Sequence, residues 1–209
     1  MRLTTTSFAD GGAIPARYAF VEAHPETRFA FAGNVNPALE WADVPEGTRS
    51  FAVICCDSDA PSVGDDVNQE DREVPADLVR ADFYHWVVVD LPAALRSIEE
   101  GEFAEGVTKG GKRTRRGPGG SRQGLNDFTG WFAGDPEMAG DYFGYDGPAP
   151  PWNDSIAHRY VFTVYALDFY RVPVRGDFTG GEVREAIEGH VLAEASVSGT
   201  YTQNPRLTP

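Results

Sequence analysis

Four stretches of the chain carry the hydrophobic patterns of β-strands and are its strongest structural signals. Residues 50–56 (SFAVICC) form a continuous apolar run, which predicts a strand buried on both faces. Residues 83–91 and 158–168 are similar runs, and residues 192–201 alternate between apolar and polar positions. The pattern therefore predicts four principal strands.

Weaker patterns predict smaller elements. Further strands are expected at 2–8, 18–22 and 27–32. An apolar stripe predicts a helix at 180–190, and a short helix is expected at 74–80. Because strands dominate and the chain has 23 glycines and 15 prolines, we predict a mainly β protein, an antiparallel β-sandwich with a few short peripheral helices.

No repeat or linker divides the chain, so we expect one domain over residues 1–209, with surface insertions near 63–82 and 105–143. The first insertion is acidic, whereas residues 109–122 carry six basic residues among glycines. Solvated loops explain both segments. A clamp over an anion or a nucleic-acid contact is the alternative for the basic one, but it lacks the interleaved aromatics of a nucleic-acid site.

Charge and composition narrow the class of partner. The net charge of −14 repels nucleic acid and anionic membranes, so neither is an expected partner. No apolar run is long enough to cross a membrane, and the N-terminus lacks a signal-peptide pattern, so we expect a cytoplasmic protein. High acidity with two lysines against sixteen arginines fits either a high-salt habitat or a GC-rich genome.

Four titratable side chains lie at the ends of the predicted strands. Asp57 and Asp59 follow the first strand, His85 lies early in the second and His158 begins the third. Pockets often form where strands meet loops. Taken alone, the two aspartates could be a catalytic pair, metal ligands, turn formers or pocket residues.

Alternation along each strand assigns a face to both histidines. His158 should share a face with Tyr160, and His85 should share one with Val87 and Val89. The segment GPAPP, residues 147–151, should form a stiff loop beside them, because proline fixes φ.

Three kinds of chemistry have to be compared for these residues: a metal site, a hydrolase site and an anion-binding site. Asp57, His85 and His158 could form a two-histidine, one-carboxylate metal site, but the helical histidine pair of a metallohydrolase is absent. A hydrolase lacks support because the chain has no G-x-S-x-G motif and no serine or threonine in an activating context. Two adjacent cysteines exclude a disulfide framework. Anion binding by imidazoles, a tyrosine hydroxyl and loop N–H groups remains, with an aspartate orienting an imidazole.

Ordered blocks of the chain resemble the phosphatidylethanolamine-binding protein family, also called the Raf kinase inhibitor protein family, and its prokaryotic branch in particular. CDSDAPS resembles the family's D-P-D-A-P signature, with Ser58 in place of the first proline. FYHWVVVDLPA and GPAPPWNDSIAHRYVFTVYALD resemble two further blocks. The matching segments cover nearly the whole chain: 36–53, 56–62, 83–93, 123–128, 147–168 and 190–201.

The resemblance implies an antiparallel β-sandwich with one small anion pocket. Members of the family bind phosphate, acetate and phospholipid head groups, and eukaryotic members inhibit kinases and proteases. We therefore expect a non-enzymatic protein that binds a phosphate, a carboxylate or a phospholipid head group, without cofactor or metal. The alternative is a protein–protein regulator, and a hydrolase or metalloenzyme is less favoured. The implied ligand-binding residues are Asp57, His85, Pro151, His158 and Tyr160, with Asp59 and Gly147 nearby.

Within this pocket the two aspartates receive different roles. Asp57 is expected to face the two histidines, and Asp59 is expected to fix the turn before Pro61.

Overall fold

The structure is a computed structural model that describes residues 1–207. Short 3₁₀ turns cover Ala16–Tyr18 and Pro118–Gly120. Two α-helices are present in this part of the chain, α1 (Phe128–Trp131) and α2 (Gly180–Ile187). Its strands are β1 (Arg2–Thr4), β2 (Val21–His24), β3 (Arg28–Phe31), β4 (Leu39–Ala42), β5 (Ser50–Pro61), β6 (Arg80–Pro92), β7 (Ser97–Ile98), β8 (Arg122–Gln123), β9 (His158–Leu167) and β10 (Val191–Tyr201).

The strands form two facing antiparallel sheets and a separate hairpin. The main sheet has the order β10-β9-β5-β6-β8, the smaller one has the order β1-β4-β7, and β2 pairs with β3. The apolar run of β5 explains its central place, because a strand between two neighbours and two packed faces has no solvent side. The predicted mainly β, antiparallel fold is confirmed.

The main sheet is buried on both faces. One face packs against the smaller sheet, with Phe51 and Cys55 opposite Trp41 in the same core. The other face is covered by α2 through Val183 and Ile187. The two adjacent cysteines divide between these cores, since Cys56 packs against the second one.

The principal strands and the helix near 180–190 are confirmed, but two local predictions are wrong. β5 continues to Pro61, so Asp57 and Asp59 lie inside the strand and no turn separates Asp59 from Pro61. No helix forms at residues 74–80: Val74 forms a β-bridge, residues 75–79 form a turn and Arg80 begins β6. The backbone N–H of Val74 donates to the carbonyl of Asn153 at 3.1 Å, and such a tertiary bond competes with the weak helix propensity of a short segment. Within the described residues, no helix is long and apolar enough to span a membrane.

Candidate ligand-binding cavity

A cavity of about 220 Å³ opens at the end of the main sheet where β5, β6 and β9 meet. The strand register places its centre, because Asp57 on β5 pairs with Phe83 on β6 and with Tyr160 on β9. Neighbouring residues on adjacent strands lie about 5 Å apart. Five of the predicted site residues line the cavity together: Asp57, His85, Pro151, His158 and Tyr160.

A β-bulge puts His85 into this cavity. Trp86 pairs with Cys55 and Tyr84 pairs with Cys56, so His85 is an extra residue without a partner across the ladder. A bulge breaks the alternation of faces and redirects a side chain. The His85 ring therefore lies against Tyr160, with 5.1 Å between the ring centroids. The predicted shared face with Val87 and Val89 is wrong, since both valines belong to the opposite core.

His158 lies buried between two carboxylates. Its Nδ1 is 2.8 Å from an oxygen of Asp57, and its Nε2 is 3.0 Å from an oxygen of Asp154. Burial lowers the pKa of His158, but hydrogen bonds and charge from Asp154 and Asp57 outweigh burial and raise the pKa to about 9. The ring is therefore a cation at neutral pH, and both of its N–H groups donate to carboxylates and not to a ligand.

Arg80 completes this buried network. Its guanidinium donates to both oxygens of Asp154, at 2.7 and 3.0 Å. Burial raises the pKa of the Asp154 carboxyl, and the bonds from His158 and Arg80 more than offset this and lower it. With Asp57, the network contains two cations and two carboxylates, so it brings no net charge to the cavity base.

His85 has the opposite environment. Its Nδ1 is 2.9 Å from the backbone carbonyl oxygen of Asp146, which can only accept, so Nδ1 carries the proton. Burial lowers the pKa of His85 and outweighs the nearby Asp57 carboxylate, which raises it. The ring is therefore neutral at pH 7, and Nε2 is the ring nitrogen left for a ligand.

The backbone carbonyl of Asp146, which accepts from His85, is held in place by the hydrogen bonds of the Asp146 side chain. The buried Asp146 carboxylate accepts hydrogen bonds from Asn34 at 2.7 Å, from Asn126 at 2.9 Å and from Lys112 at 2.5 Å. These bonds immobilise residue 146, and through it they set the orientation of the His85 ring.

Tyr160 presents an unused polar group. Its hydroxyl is buried and lies near the Asp57 carboxylate, but it makes no hydrogen bond of good geometry among the residues that the structure describes. Burial, followed by the nearby Asp57 carboxylate, raises the pKa of Tyr160 well above its ordinary value, so the hydroxyl keeps its proton. Leaving a buried polar group unsatisfied costs about 1–3 kcal/mol, which a ligand oxygen placed here would recover.

Seven of the 17 remaining lining residues are aromatic. The Phe128 ring stacks on Phe20 at 4.6 Å and on Phe132 at 5.4 Å between centroids. Phe29 and Trp131 lie at the rim with 44% and 48% of their surface exposed. We call the set of Phe20, Phe29, Phe31, Phe83, Phe128, Trp131, Phe132 and Met138 the aromatic wall.

Asp59 and Gly147 support the cavity from outside it. The Asp59 N–H donates to Asp57 at 2.8 Å, and the Asp59 carboxylate accepts from the N–H of Arg159 at 2.9 Å. At Gly147 an added Cβ would lie 2.0 Å from the carbonyl oxygen of Tyr18, so no larger residue fits. Both residues therefore brace the site and do not line it.

Sequence comparison identifies the family. Residues 4–202 match the profile of the phosphatidylethanolamine-binding protein family. The chain belongs to this family. UPF0098 protein YbhB of Escherichia coli K12 is 33% identical over 203 residues, which are 97% of this chain and 100% of YbhB. A UPF0098 protein of Methanothermobacter thermautotrophicus is 34% identical over 201 residues, 96% of this chain and 98% of that protein.

Solved structures place the chain in the same family. Escherichia coli YbcL, described as a new member of the mammalian PEBP family, superposes with a TM-score of 0.67 at 27% identity and covers 96% of this chain and 97% of its own. The PEBP homologue CT736 of Chlamydia trachomatis gives a TM-score of 0.62 at 26% identity, covering 96% and 95%. The predicted resemblance to a prokaryotic PEBP-like family is therefore confirmed.

Sequence reasoning missed important parts of this family member's site. Asp154 lies four residues before His158 in the segment NDSIAHRY. This short spacing was the one sequence feature that could have indicated a contact between the two side chains. Arg80 closes the acidic insertion, where nothing in the pattern distinguishes it from surface charge. The aromatic wall was missed because its members come from separate segments, β3, β6 and α1 among them.

The acidic insertion contributes to the cavity. The Asn153 side-chain amide donates to the carbonyls of Asp66, Gln69 and Arg72 at 2.8, 3.2 and 2.9 Å. These bonds hold the segment against the sheet, and Val67 lines the cavity. Residues 63–79 are therefore a fixed side of the site and more than a solvated loop.

The metal hypothesis gains no geometric support. Both nitrogens of His158 lie against carboxylates, and His85 holds a backbone carbonyl. Across residues 1–207, no three histidine, cysteine, aspartate or glutamate side chains are arranged to share a metal ion.

Proposed function

We propose that this PEBP family member is a non-enzymatic binding protein for an amphiphilic phosphate ester. The phosphate would lie at the base of the cavity between His85 and Tyr160, and the apolar part of the ligand would lie along the aromatic wall. The observation that carries the proposal is the buried Tyr160 hydroxyl, which lies beside the His85 ring and, although close to Asp57, makes no hydrogen bond of good geometry within the described residues.

Electrostatics supports an anion even though no lysine or arginine lines the cavity. The Asp57 carboxylate would repel a phosphate, but the His158 cation neutralises it through a bond of 2.8 Å. The cavity base therefore carries no net negative charge and offers one hydroxyl donor, Tyr160, to which a protonated His85 would add a second. Such a site favours one compact anionic group, which the cavity would bind through hydrogen bonds more than through ion pairs.

Binding should be linked to one proton. The neutral His85 ring has an unprotonated Nε2, and a phosphate oxygen cannot donate to it unless the phosphate carries a proton. A phosphate monoester loses its second proton near pH 6, and the lowered pKa of His85 lies below 6.5. The complex therefore needs a proton on either His85 or the ester, and affinity should fall about tenfold per pH unit above pH 7.

The cavity supports binding more than catalysis. None of its lining residues is a serine, threonine, cysteine or lysine, so the side chains that usually act as nucleophiles are absent from this lining. His158 has both ring nitrogens engaged and cannot serve as a free general base, and the free Nε2 of His85 has no serine, threonine or cysteine among the lining residues to activate. A small, open-mouthed cavity with an apolar side suits recognition of a head group and the first carbons that follow it.

Calorimetric titration with hexyl phosphate and with inorganic phosphate at pH 6.0 tests this proposal. We expect hexyl phosphate to bind more tightly, with Phe128→Ala removing that advantage and leaving inorganic phosphate affected less than twofold. Tyr160→Phe should weaken both ligands about tenfold, because it removes the one hydroxyl donor. Equal affinity for the two ligands in the wild-type protein would contradict the role of the wall, and an inert Tyr160→Phe would contradict the proposed head-group site.

Protein–protein regulation stays the alternative. It would use residues 63–82 and 109–122 as a recognition surface. Asn153 fixes the first of these segments, and ion pairs such as Lys109 with Glu137 at 2.7 Å restrain the second. Neither segment is a free arm, so the phosphate-ester proposal has the stronger support.

A further inference from the structure

A wide groove of about 960 Å³ lies at the opposite end of the main sheet from the cavity. On β6 it begins at Asp90, five residues beyond His85, which corresponds to about 17 Å along a strand. The segment 170–176, which follows β9, forms its other side. The groove and the cavity therefore share strand β6 but no lining residue.

The groove concentrates positive charge in an acidic protein. Five arginines line it, against Asp90 in the groove and Asp177 beside it, which leaves a surplus of three positive charges. The whole chain carries a net charge of −14. A local surplus of this kind is an attractive site for an anion, because like charges brought together without partners destabilise the fold. The lining arginines are Arg115, Arg116, Arg122, Arg171 and Arg175.

A rigid floor holds these arginines together. Asp90 adopts a left-handed backbone conformation with φ of 63°, and its carboxylate accepts from Arg122 at 2.5 Å and from the N–H of Val172 at 2.8 Å. Arg122 also donates to the carbonyls of Val172 and Val174, both at 2.7 Å. The basic segment and the segment after β9 are thereby fixed to each other.

Three of the arginines remain available above that floor. Arg116, Arg171 and Arg175 are exposed. The carboxylate nearest to Arg171 is that of Asp90, at 3.9 Å, which is beyond a hydrogen bond. Within residues 1–207, neither Arg116 nor Arg175 has an ion-pair partner. Arg116 and Arg175 can therefore bind an incoming anion without breaking an ion pair, and Arg171 would give up only a 3.9 Å contact with an Asp90 carboxylate that Arg122 already holds.

Groove shape and chemistry point to phosphoryl groups. A guanidinium binds phosphate oxygens with two parallel hydrogen bonds, and several of them together favour a ligand with several phosphates. Gly120 and Gly176 border the groove with φ of 83° and 63°, and an added Cβ at either would meet nothing within 4 Å, so a ligand can approach their backbone. Tyr170, 73% exposed, offers a ring at the same edge.

We propose that this groove is a second binding site, which takes a compact anion with two or more phosphoryl groups. A free polyphosphate and the phosphate chain of a nucleotide share this chemistry. A long nucleic acid is disfavoured, because the acidic surface on either side would repel its extended phosphate backbone. The proposal is independent of the ligand assigned to the cavity.

Calorimetric titration of the full chain with pyrophosphate, tripolyphosphate and ATP at low ionic strength tests the second site. Arg171→Ala and Arg175→Ala should each weaken binding about tenfold or more. Two matched controls should change it less than twofold: Arg2→Ala removes an equally exposed charge elsewhere, and His85→Ala disables the cavity. Thermal unfolding of each variant verifies that it is folded.

Three results would overturn the second site. The first is no binding of any of the three anions at 1 mM. The second is an equal loss in Arg2→Ala, which would mean that only overall charge matters. The third is a loss in His85→Ala, which would assign the binding to the cavity. If ATP binds more tightly than tripolyphosphate and Tyr170→Ala removes the difference, the ligand is a nucleotide; equal affinity identifies the polyphosphate chain itself, and either outcome supports the site.

Discussion

The two buried histidines of the cavity have similar sequence contexts and opposite physical environments. Each lies on a strand among apolar residues, yet His158 donates to the carboxylates of Asp57 and Asp154, whereas His85 donates to the backbone carbonyl of Asp146. The pKa of His158 is raised to about 9, and the pKa of His85 is lowered. One ring is a structural cation and the other is a neutral ring available to a ligand.

This difference shows that the partner of a buried histidine decides its role more than burial does. Burial lowers the pKa in both cases. Two ionised partners reverse the effect at His158, and one neutral carbonyl together with a more distant carboxylate does not reverse it at His85. We therefore expect changes near His158 to act mainly on stability and changes at His85 to act mainly on binding.

The largest effect is expected for Asp154→Ala. Its removal leaves His158 and Arg80 buried with one carboxylate fewer, and breaking a buried ionic network in this way costs about 3–5 kcal/mol. Urea unfolding of the variant and the wild-type protein measures the loss. Asp65→Ala, which removes an exposed carboxylate of the acidic insertion, is the matched control and should cost less than about 1 kcal/mol. A similar small loss for both variants would mean that the network is not a source of stability.

The second-largest effect is expected to be a loss of stability at alkaline pH, as His158 loses its proton. Because the folded pKa of His158 lies at about 9, above the unfolded value of 6.5, its contribution is fully present below pH 6.5 and is lost as pH rises through 9. The difference in unfolding free energy between the wild-type protein and His158→Gln should shrink by on the order of 3 kcal/mol between pH 6 and pH 9.5. Both proteins share the buried cysteines and tyrosines, so the contributions of these groups to the pH dependence cancel in the difference. A difference that does not change with pH would show that His158 is neutral.

A smaller effect, confined to binding, is expected for His85→Asn. The asparagine amide keeps a donor for the Asp146 carbonyl but lacks the distal ring nitrogen. Affinity for hexyl phosphate at pH 6.0 should fall about tenfold, which is about 1.4 kcal/mol, while the unfolding free energy changes by less. Because the variant has no ring to protonate at position 85, the pH dependence of affinity above pH 7 should come from protonation of the ester alone. Unchanged affinity with lowered stability would reverse the roles assigned to the two histidines.

The smallest effect is expected for Asp59→Ala, which loses the bond to the Arg159 N–H and leaves the cavity lining intact. The cost should be about 0.5–1.5 kcal/mol of unfolding free energy, with less than a twofold change in ligand affinity. A loss of affinity comparable to that of His85→Asn would place Asp59 in the binding site itself.

Much of the fold and part of the site could be predicted from the sequence because they follow from regular patterns. The central strand, the helix near 180–190 and the convergence of Asp57 with both histidines all depend on periodicity and block order. The bulge at His85 could not be predicted, because it requires knowing how β6 pairs with β5. The role of Asp154 was hidden for the same kind of reason, since its loop becomes meaningful only where it meets His158 and Arg80.

The failed helix at 74–80 has a related cause. Val74 pairs with the loop around Asp154, and Arg80 starts β6 with its side chain on Asp154. These contacts join residues that are far apart in sequence, so the local helix propensity of residues 74–80 does not depend on them. They also explain why an acidic segment that resembles a solvated loop forms one side of the cavity.

The most direct test of this account is an NMR titration that follows the ring nitrogens and carbons of His85 and His158 between pH 5 and pH 10. We predict that His158 keeps imidazolium shifts up to about pH 8 and titrates near 9. His85 should show the shifts of a neutral ring protonated on Nδ1 at pH 7, and it should titrate below 6.5. Two histidines that titrate together near 6.5 would contradict the central claim that their partners give them different charges and different roles.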